Sequence, residues 1–280
     1  MKKRNMSGFL GLGVLALGIL FYWESNSLDV SHYEIKDSKI KKKVKICQLS
    51  DFHNHASQAF QKKVLDQIKK EAPDYIFITG DMVDSRRTDI ETTLSFMKKL
   101  LDQGPCFYVS GNHEERLKDI EKLHEAYKNL GIQVLTKDSL TLEGGIRLWG
   151  LQDPRVLGPG KTPREMEGYF KEKLDKMDWD QERYQILLVH RPNFLDLFSQ
   201  YPLDLIFSGH LHGGQVRLPV LGPLLSPYGE LFPKEAEGMI ERNQTREIIS
   251  RGLGNSSFPL RINNKPEIIF VNLDEKNDIS

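Results

Sequence analysis

Apolar positions in this chain fall into short unbroken runs that alternate with spaced repeats. VKICQLS (Val44 to Ser50), YIFIT (Tyr75 to Thr79) and CFYVS (Cys106 to Ser110) read as buried strands. Between them, Phe60, Val64, Leu65 and Ile68 recur at helical spacing ahead of Pro73, and Ile90, Leu94, Met97 and Leu101 repeat the pattern. Leu117, Ile120, Leu123, Ala126 and Leu130 predict a third helix, with Gly131 as its C-terminal stop. Later strands are expected at IRLWGL, QILLV, LDLIFS, REIIS and EIIFVNL, with a helix over 164–177 among them and a short edge strand, VSHYEI, before the first. Strands alternating with helices predict an α/β fold with a central sheet. The glycine- and proline-rich stretch from Leu218 to Pro233 reads as an ordered loop or cover.

Five strand ends carry polar clusters: SDFH, GDMVD, GNHE, VHRP and SGHLH. Ligands of open α/β sheets bind outside the carboxyl ends of strands, so residues far apart in sequence are expected to meet there. The candidates are Asp51, His53, Asp81, Asp84, Asn112, His113, His190, His210 and His212. Singly, each has a structural explanation: a strand-end aspartate caps a helix, and GD or GN makes a turn. Together, oxygen and imidazole donors without a thiolate predict a metal site. In extended chain, residues i and i+2 project to one side, so Asp51 and His53 can reach one ion together. The glycines around His210 and His212 let those rings diverge to two ions, and Asp81 can bridge a pair of metals ~3.5–4 Å apart. Such donors suit manganese, iron or zinc, and the many nitrogens argue against calcium.

Composition changes the picture in two places. Lysine plus arginine equals aspartate plus glutamate at 39 each, so no overall field points to nucleic acid as a partner. Cys47 and Cys106 are too few for a disulfide framework and lie in predicted strands, which makes buried free thiols the expectation. The N-terminus is the exception to globular composition. Lys2, Lys3 and Arg4 precede GFLGLGVLALGILFYW, Gly8 to Trp23, the layout of a basic region followed by an apolar one. No convincing cleavage site follows, and Phe21, Tyr22 and Trp23 suit a membrane interface. Residues 1–27 are therefore expected to form a single-pass signal-anchor, and residues 28–280 a catalytic domain on the extracytoplasmic side.

The motifs DFH, GDMVD, GNHE, an isolated His190 and GHLH resemble, in order and rough spacing, the five motifs of calcineurin-like metallophosphoesterases, over about Val44 to Leu273. GHLHGGQVRLPVLGPL and SRGLGNSSFPLRINNKPEI are similar to a bacterial membrane-associated branch, some of whose members resemble UDP-2,3-diacylglucosamine pyrophosphohydrolases. The resemblance implies a four-layer α/β/β/α sandwich. It implies one metal on Asp51, His53 and His212, another on Asn112, His190 and His210, and Asp81 bridging them. It further implies His113 as the general acid, oriented and kept protonated by Asp84. The implied reaction is hydrolysis of a phosphoester or pyrophosphate by a metal-activated hydroxide, with a membrane- or envelope-associated, possibly lipid-linked, substrate. Soluble lipid-A-pathway pyrophosphohydrolases carry arginine where this chain has His113, so their activity does not transfer directly. The rivals are a metal-free interaction module on the same fold and a signalling enzyme acting on protein phosphates or cyclic nucleotides. His55 is a candidate supporting residue, His124 is expected at the surface, and Arg191, Arg251 and Arg261 are candidates for binding phosphate. The run Lys39 to Lys43 is either a lipid contact or a solvated lead-in.

Overall fold

The computed structural model describes residues 18, 24–137, 139–218, 222–225, 233, 235–255 and 261–276. Its strands and helices follow in chain order as β1 (Asp29–Asp37), β2 (Val44–Leu49), α1 (Gln58–Glu71), β3 (Tyr75–Ile78), α2 (Ile90–Leu101) and β4 (Cys106–Tyr108). Next come α3 (Ile120–Leu130), β5 (Gln133–Val134), β6 (Ser139–Leu142), β7 (Ile146–Gly150), α4 (Pro163–Leu174), β8 (Tyr184–Leu188), α5 (Leu195–Phe198) and β9 (Leu205–Ser208). The chain continues with β10 (Val216–Leu218), β11 (Gly222–Leu225), β12 (Gly238–Arg242), β13 (Thr245–Ile249) and β14 (Glu267–Glu275).

Local chemistry explains the helix ends. Ser57 caps α1 by accepting from Phe60 N, and Thr162 with Glu165 forms a reciprocal capping box at the start of α4. Gly131 closes α3 in the left-handed conformation, as its position predicts, but α3 starts at Ile120. Leu117 lies outside it, after a single 3₁₀ turn over Glu114–Arg116.

Two six-stranded sheets carry the fold. The first runs β1-β14-β2-β3-β4-β5 and the second β12-β13-β9-β8-β7-β6. Strands β2, β3 and β4 are mutually parallel, as are β7, β8 and β9. The motif-bearing ends within each sheet therefore point the same way. Three apolar clusters set the layers. Ile46, Phe77 and Val271 of the first sheet meet Leu148, Ile186, Phe207 and Ile248 of the second. The outer face of the first sheet, with Leu49, Ile78 and Phe270, packs on Phe60, Val64, Phe96 and Tyr127 of α1, α2 and α3. The outer face of the second packs Trp149, Leu187 and Ile206 on Phe170 and Leu174 of α4 and on Phe198. Helix, sheet, sheet and helix thus follow in four layers. Period-two alternation sends Ile46 inward and Cys47 and Leu49 outward, which is why these strands read as continuous apolar runs.

Several expectations change here. Cys47 and Cys106 are free and buried, as expected. Apart from Gly18, the Gly8–Trp23 run lies outside the described residues, among which no helix is long and apolar enough to cross a membrane. Of the Leu218–Pro233 stretch, the described part includes β11, which pairs antiparallel with β10. His124 is not at the surface: it is buried in α3 with its ring edge-on to Tyr108. A period-3.6 pattern of large apolar residues hides such a position, because an imidazole fills the same space. The lysine run is partnered rather than merely solvated, with Lys39 pairing with Asp204 at 2.7 Å and Lys42 with Glu143 at 2.5 Å.

Candidate metal centre

The loops after β2, β3, β4, β8 and β9 meet at one end of the two sheets. Backbone hydrogen bonds stitch them together beyond the strands: Asp51 N donates to Gly80 O, His53 N to Asp81 O, and Gly209 N to His190 O. Glycines make room for this. A Cβ on Gly111 would meet Asp81 Oδ1 at 2.3 Å, and one on Gly209 would meet Ser50 Oγ at 2.0 Å. The glycines of GN and SGH are therefore required by close approach of neighbouring loops.

The donor residues themselves hold left-handed backbone conformations. Asp51, His53, Asp81, His210 and His212 have φ of 52°, 48°, 53°, 74° and 48°. Non-glycine residues pay to sit there, and such strain concentrates at functional sites. The extended-chain reasoning for Asp51–His53 and His210–His212 is thus replaced by turns. Each turn still delivers two side chains to the centre.

Three groups of side chains lie close enough to share a cation: Asp51, His53 and His212; Asp81, His190 and His210; and His53, Asp84 and His113. In the first, His53 Nε2 is 3.2 Å from His212 Nε2, and Asp51 Oδ1 is 3.3 Å from His212 Nε2. Asp51 Oδ1 is buried with no hydrogen-bond partner, while Oδ2 takes Ser50 Oγ and His210 N. In the second, His190 Nδ1 bonds Thr79 O at 2.7 Å, which turns Nε2 toward Asp81 Oδ2 at 3.2 Å and His210 Nδ1 at 3.0 Å. Asn112 sets its carboxamide 2.8 Å from that same His210 Nδ1. Buried acceptors facing acceptors are costly unless a cation or proton lies between them. The donor set therefore fits two divalent ions.

Asp81 occupies the middle. Its Oδ2 lies 3.2 Å from His190 Nε2, 3.8 Å from His53 Nε2 and 4.0 Å from His113 Nε2. Its Oδ1 accepts His113 N at 2.8 Å. The electrostatics follow. Burial pushes the Asp81 carboxyl up, but His190 and His113 outweigh it and hold it well below the usual carboxylate range. For Asp51, His212 likewise overcomes burial and lowers the carboxyl. Burial depresses His53 to about 3, with Asp81 offsetting only part. His190 goes the other way: burial opposes its protonation, yet Asp81 lifts it to about 10.

His113 Nδ1 lies 3.1 Å from Asp84 Oδ1 and 3.1 Å from Ser85 N. The carboxylates beside this ring favour its protonated form, as expected of Asp84, but burial opposes them. Burial lowers His113, and Asp81 and Asp84 restore only part of the difference. Part of Asp84's capacity is already taken by Arg86, whose N and Nε both donate to Oδ1.

The three arginines singled out from sequence serve internal partners instead of an open cleft. Arg191 pairs with buried Asp153 at 2.7 Å and reaches His210 Nε2 at 3.1 Å. Arg251 pairs with Glu267 and Asp29. Arg261 is buried and donates to the carbonyls of Arg251 and Gly252. His55 stacks on Phe60 and lines the adjoining cleft, apart from the three metal groups. That cleft, of ≈ 530 Å³, meets the centre at His53 and Asp84 and runs past Phe52, Arg86, Arg87 and Asn255.

Sequence reasoning gave no role to Glu114 or Asn264. Glu114 is fully buried and takes the N–H groups of Asp81, Gly111 and Val83, pinning two motif loops together. Asn264 donates to His212 O at 2.6 Å and to Gln215 O. The E of GNHE is the one signal that could have flagged Glu114. For Asn264 there is none, because its partner lies 52 residues away.

Comparison with known proteins agrees with this geometry. Residues 44–214 match the family described as calcineurin-like phosphoesterase. The chain is 30% identical over 294 residues to the uncharacterized metallophosphoesterase YkuE of Bacillus subtilis, covering 98% of this chain and 96% of that one. It is 27% identical over 210 residues to the phosphodiesterase YaeI of Escherichia coli, covering 73% and 72%. Among solved structures, TT1561 of Thermus thermophilus shares the fold, with a TM-score of 0.53 at 11% identity over 76% of this chain and 91% of that one. The chain belongs to the calcineurin-like phosphoesterases, and is a metal-dependent phosphoester hydrolase whose histidine–aspartate clusters serve two divalent metal ions.

Proposed function

We propose that Asp51, His53 and His212 hold one ion, that Asn112, His190 and His210 hold the other, and that Asp81 bridges them. The observation that carries this is the single oxygen Asp81 Oδ2, set among three imidazole Nε2 atoms between the two groups. When bound, the ions supply an activated water and stabilise charge on phosphoryl oxygens. The protein's own part is orientation and proton transfer. His113, on the rim of the centre, protonates the leaving oxygen, and Asp84 orients its ring through Nδ1. Asp81→Ala tests the arrangement: metal content should fall below two ions per chain and hydrolysis of an aryl phosphate ester should be lost. Retention of both metals and full activity would overturn it.

The substrate we infer is a phosphoester or pyrophosphate held at a membrane or envelope surface. The Gly8–Trp23 run acts as the anchor, with the domain from residue 28 outside. Two contacts support this. Glu24, directly after the apolar run, is buried and accepts from Asn264 N at 2.8 Å, and Asn264 in turn holds His212 O. The backbone of Ser25 is hydrogen-bonded to the ring of His55, which lines the cleft. The chain thus leaves the apolar run beside the entrance to the centre, where a lipid-linked phosphate would arrive. A screen of soluble and lipid-linked mono-, di- and pyrophosphate esters with manganese, run on full-length protein and on a chain lacking residues 1–23, tests the idea. Preference for lipid-linked substrates that needs residues 1–23 supports it, and equal turnover of soluble analogues by both chains counts against it.

A further inference from the structure

The turn GNHEER, Gly111 to Arg116, ends in three charged residues with different tasks. Glu114 faces inward and takes three backbone N–H groups. Glu115 accepts the hydroxyl of Ser110. Both acids tie the turn to its neighbours, and the third residue follows directly after them. Arg116 is exposed and makes no ion pair with a carboxylate among the described residues. Its Nη1 lies 3.5 Å from His113 Nε2, and its Nη2 lies 3.2 Å from the Asn112 carboxamide. A guanidinium therefore stands over the two residues that flank Asp81, beside groups that cannot neutralise it. Arg191, in the loop after β8, is different: buried Asp153 compensates its charge. A fork of N–H donors with no carboxylate partner among the described residues, beside a phosphate-handling centre, suits an oxyanion.

We propose that Arg116 is a further catalytic residue, binding a nonbridging oxygen of the scissile phosphoryl group, and that it favours a terminal phosphoryl group over a diester. The chemistry behind the preference is a count of oxygens. A diester phosphorus carries two nonbridging oxygens, which the two ions would take when bound. A monoester, or the end of a pyrophosphate, carries a third, which Arg116, beside His113 and Asn112, would bind. This rests on the phosphoesterase reading above.

The test compares binding of inorganic phosphate and of dimethyl phosphate to full-length, manganese-loaded protein by calorimetry. Wild type, Arg116→Ala and Arg116→Lys are used, with metal content and melting temperature followed in each. Arg116→Ala should weaken phosphate ~10–100-fold, Arg116→Lys should recover part of the loss, and neither should change metal content or melting. Dimethyl phosphate should bind all three alike, and its failure to bind wild type would equally support the preference for a terminal group. Unchanged phosphate affinity in Arg116→Ala overturns the proposal, as does equal weakening of both probes. A wild type that holds two manganese ions yet binds neither probe overturns the phosphoesterase reading and this proposal together.

Discussion

Two acidic regions are buried to the same degree and behave in opposite ways. At the metal centre, Asp51 and Asp81 are 0% and 2% exposed, and both are held ionised. On β13 of the second sheet, Glu247 is also 0% exposed, and burial raises it to about 8. Its Oε1 takes Ser208 Oγ at 2.6 Å, and Ser208 O takes Gln48 Nε2 at 2.7 Å. Desolvation acts on all three carboxyls. What differs is the company: imidazoles face Asp51 and Asp81, whereas a hydroxyl and, among the described residues, no cation pairs with Glu247. Burial alone does not set the charge of a carboxylate; the opposing charge within reach decides it. A centre that keeps aspartates ionised at depth can hold cations, and the pocket around Glu247 cannot.

The largest test of this contrast is Asp81→Asn, which keeps the shape and removes the charge. Activity should fall on the order of 10³-fold or more, because a bridge between the donor groups is lost. Glu247→Gln should leave turnover within about threefold in the same assay, since no metal interaction is at stake there. Next, stripping divalent ions with a chelator should lower stability by about 2.7 kcal/mol for each ion present at 100 times its dissociation constant. Wild type and Glu247→Gln should lose the same amount in thermal melts, while Asp81→Asn should lose less.

The third test uses pH. Glu247 keeps its proton in the folded chain up to about 8 but loses it near 4.5 when unfolded. The folded state then binds more protons across that window, so stability falls as pH rises through it. Denaturation midpoints between pH 5 and 8.5 should show roughly 1–4 kcal/mol of this loss in wild type and a flatter profile in Glu247→Gln. A steeper profile in the variant would contradict the account. The smallest effect belongs to Lys39→Ala at the partly exposed pair with Asp204, where about 0–1 kcal/mol is expected and no change in activity.

Legibility from sequence followed burial and length. Strands β2, β3, β4, β8 and β9 are buried on both faces, and their apolar runs announce them. Gln133–Val134 and Gly238–Arg242 are short or half-exposed, with too few apolar positions to show a period. The polar candidates at strand ends stood out because carboxylates and imidazoles at such places recur together. The partners of Arg191, Arg251 and Arg261 did not, since an arginine reads alike whether it faces Asp153, Glu267 or solvent. Arg116 lay within a quoted motif's reach and gave no sign, because only its distances to His113 and Asn112 distinguish it.

From the order of residues alone came the alternation of strands and helices, and the polar clusters where strands stop. Both are local: side-chain period and turn chemistry act over a few neighbours. Which imidazole faces which carboxylate was settled only when two sheets stacked and brought Asp51 beside His212, 161 positions later in the chain. The left-handed turns at Asp51, Asp81 and His210 were settled there too, because contacts from other loops, not their own preference, hold them in place.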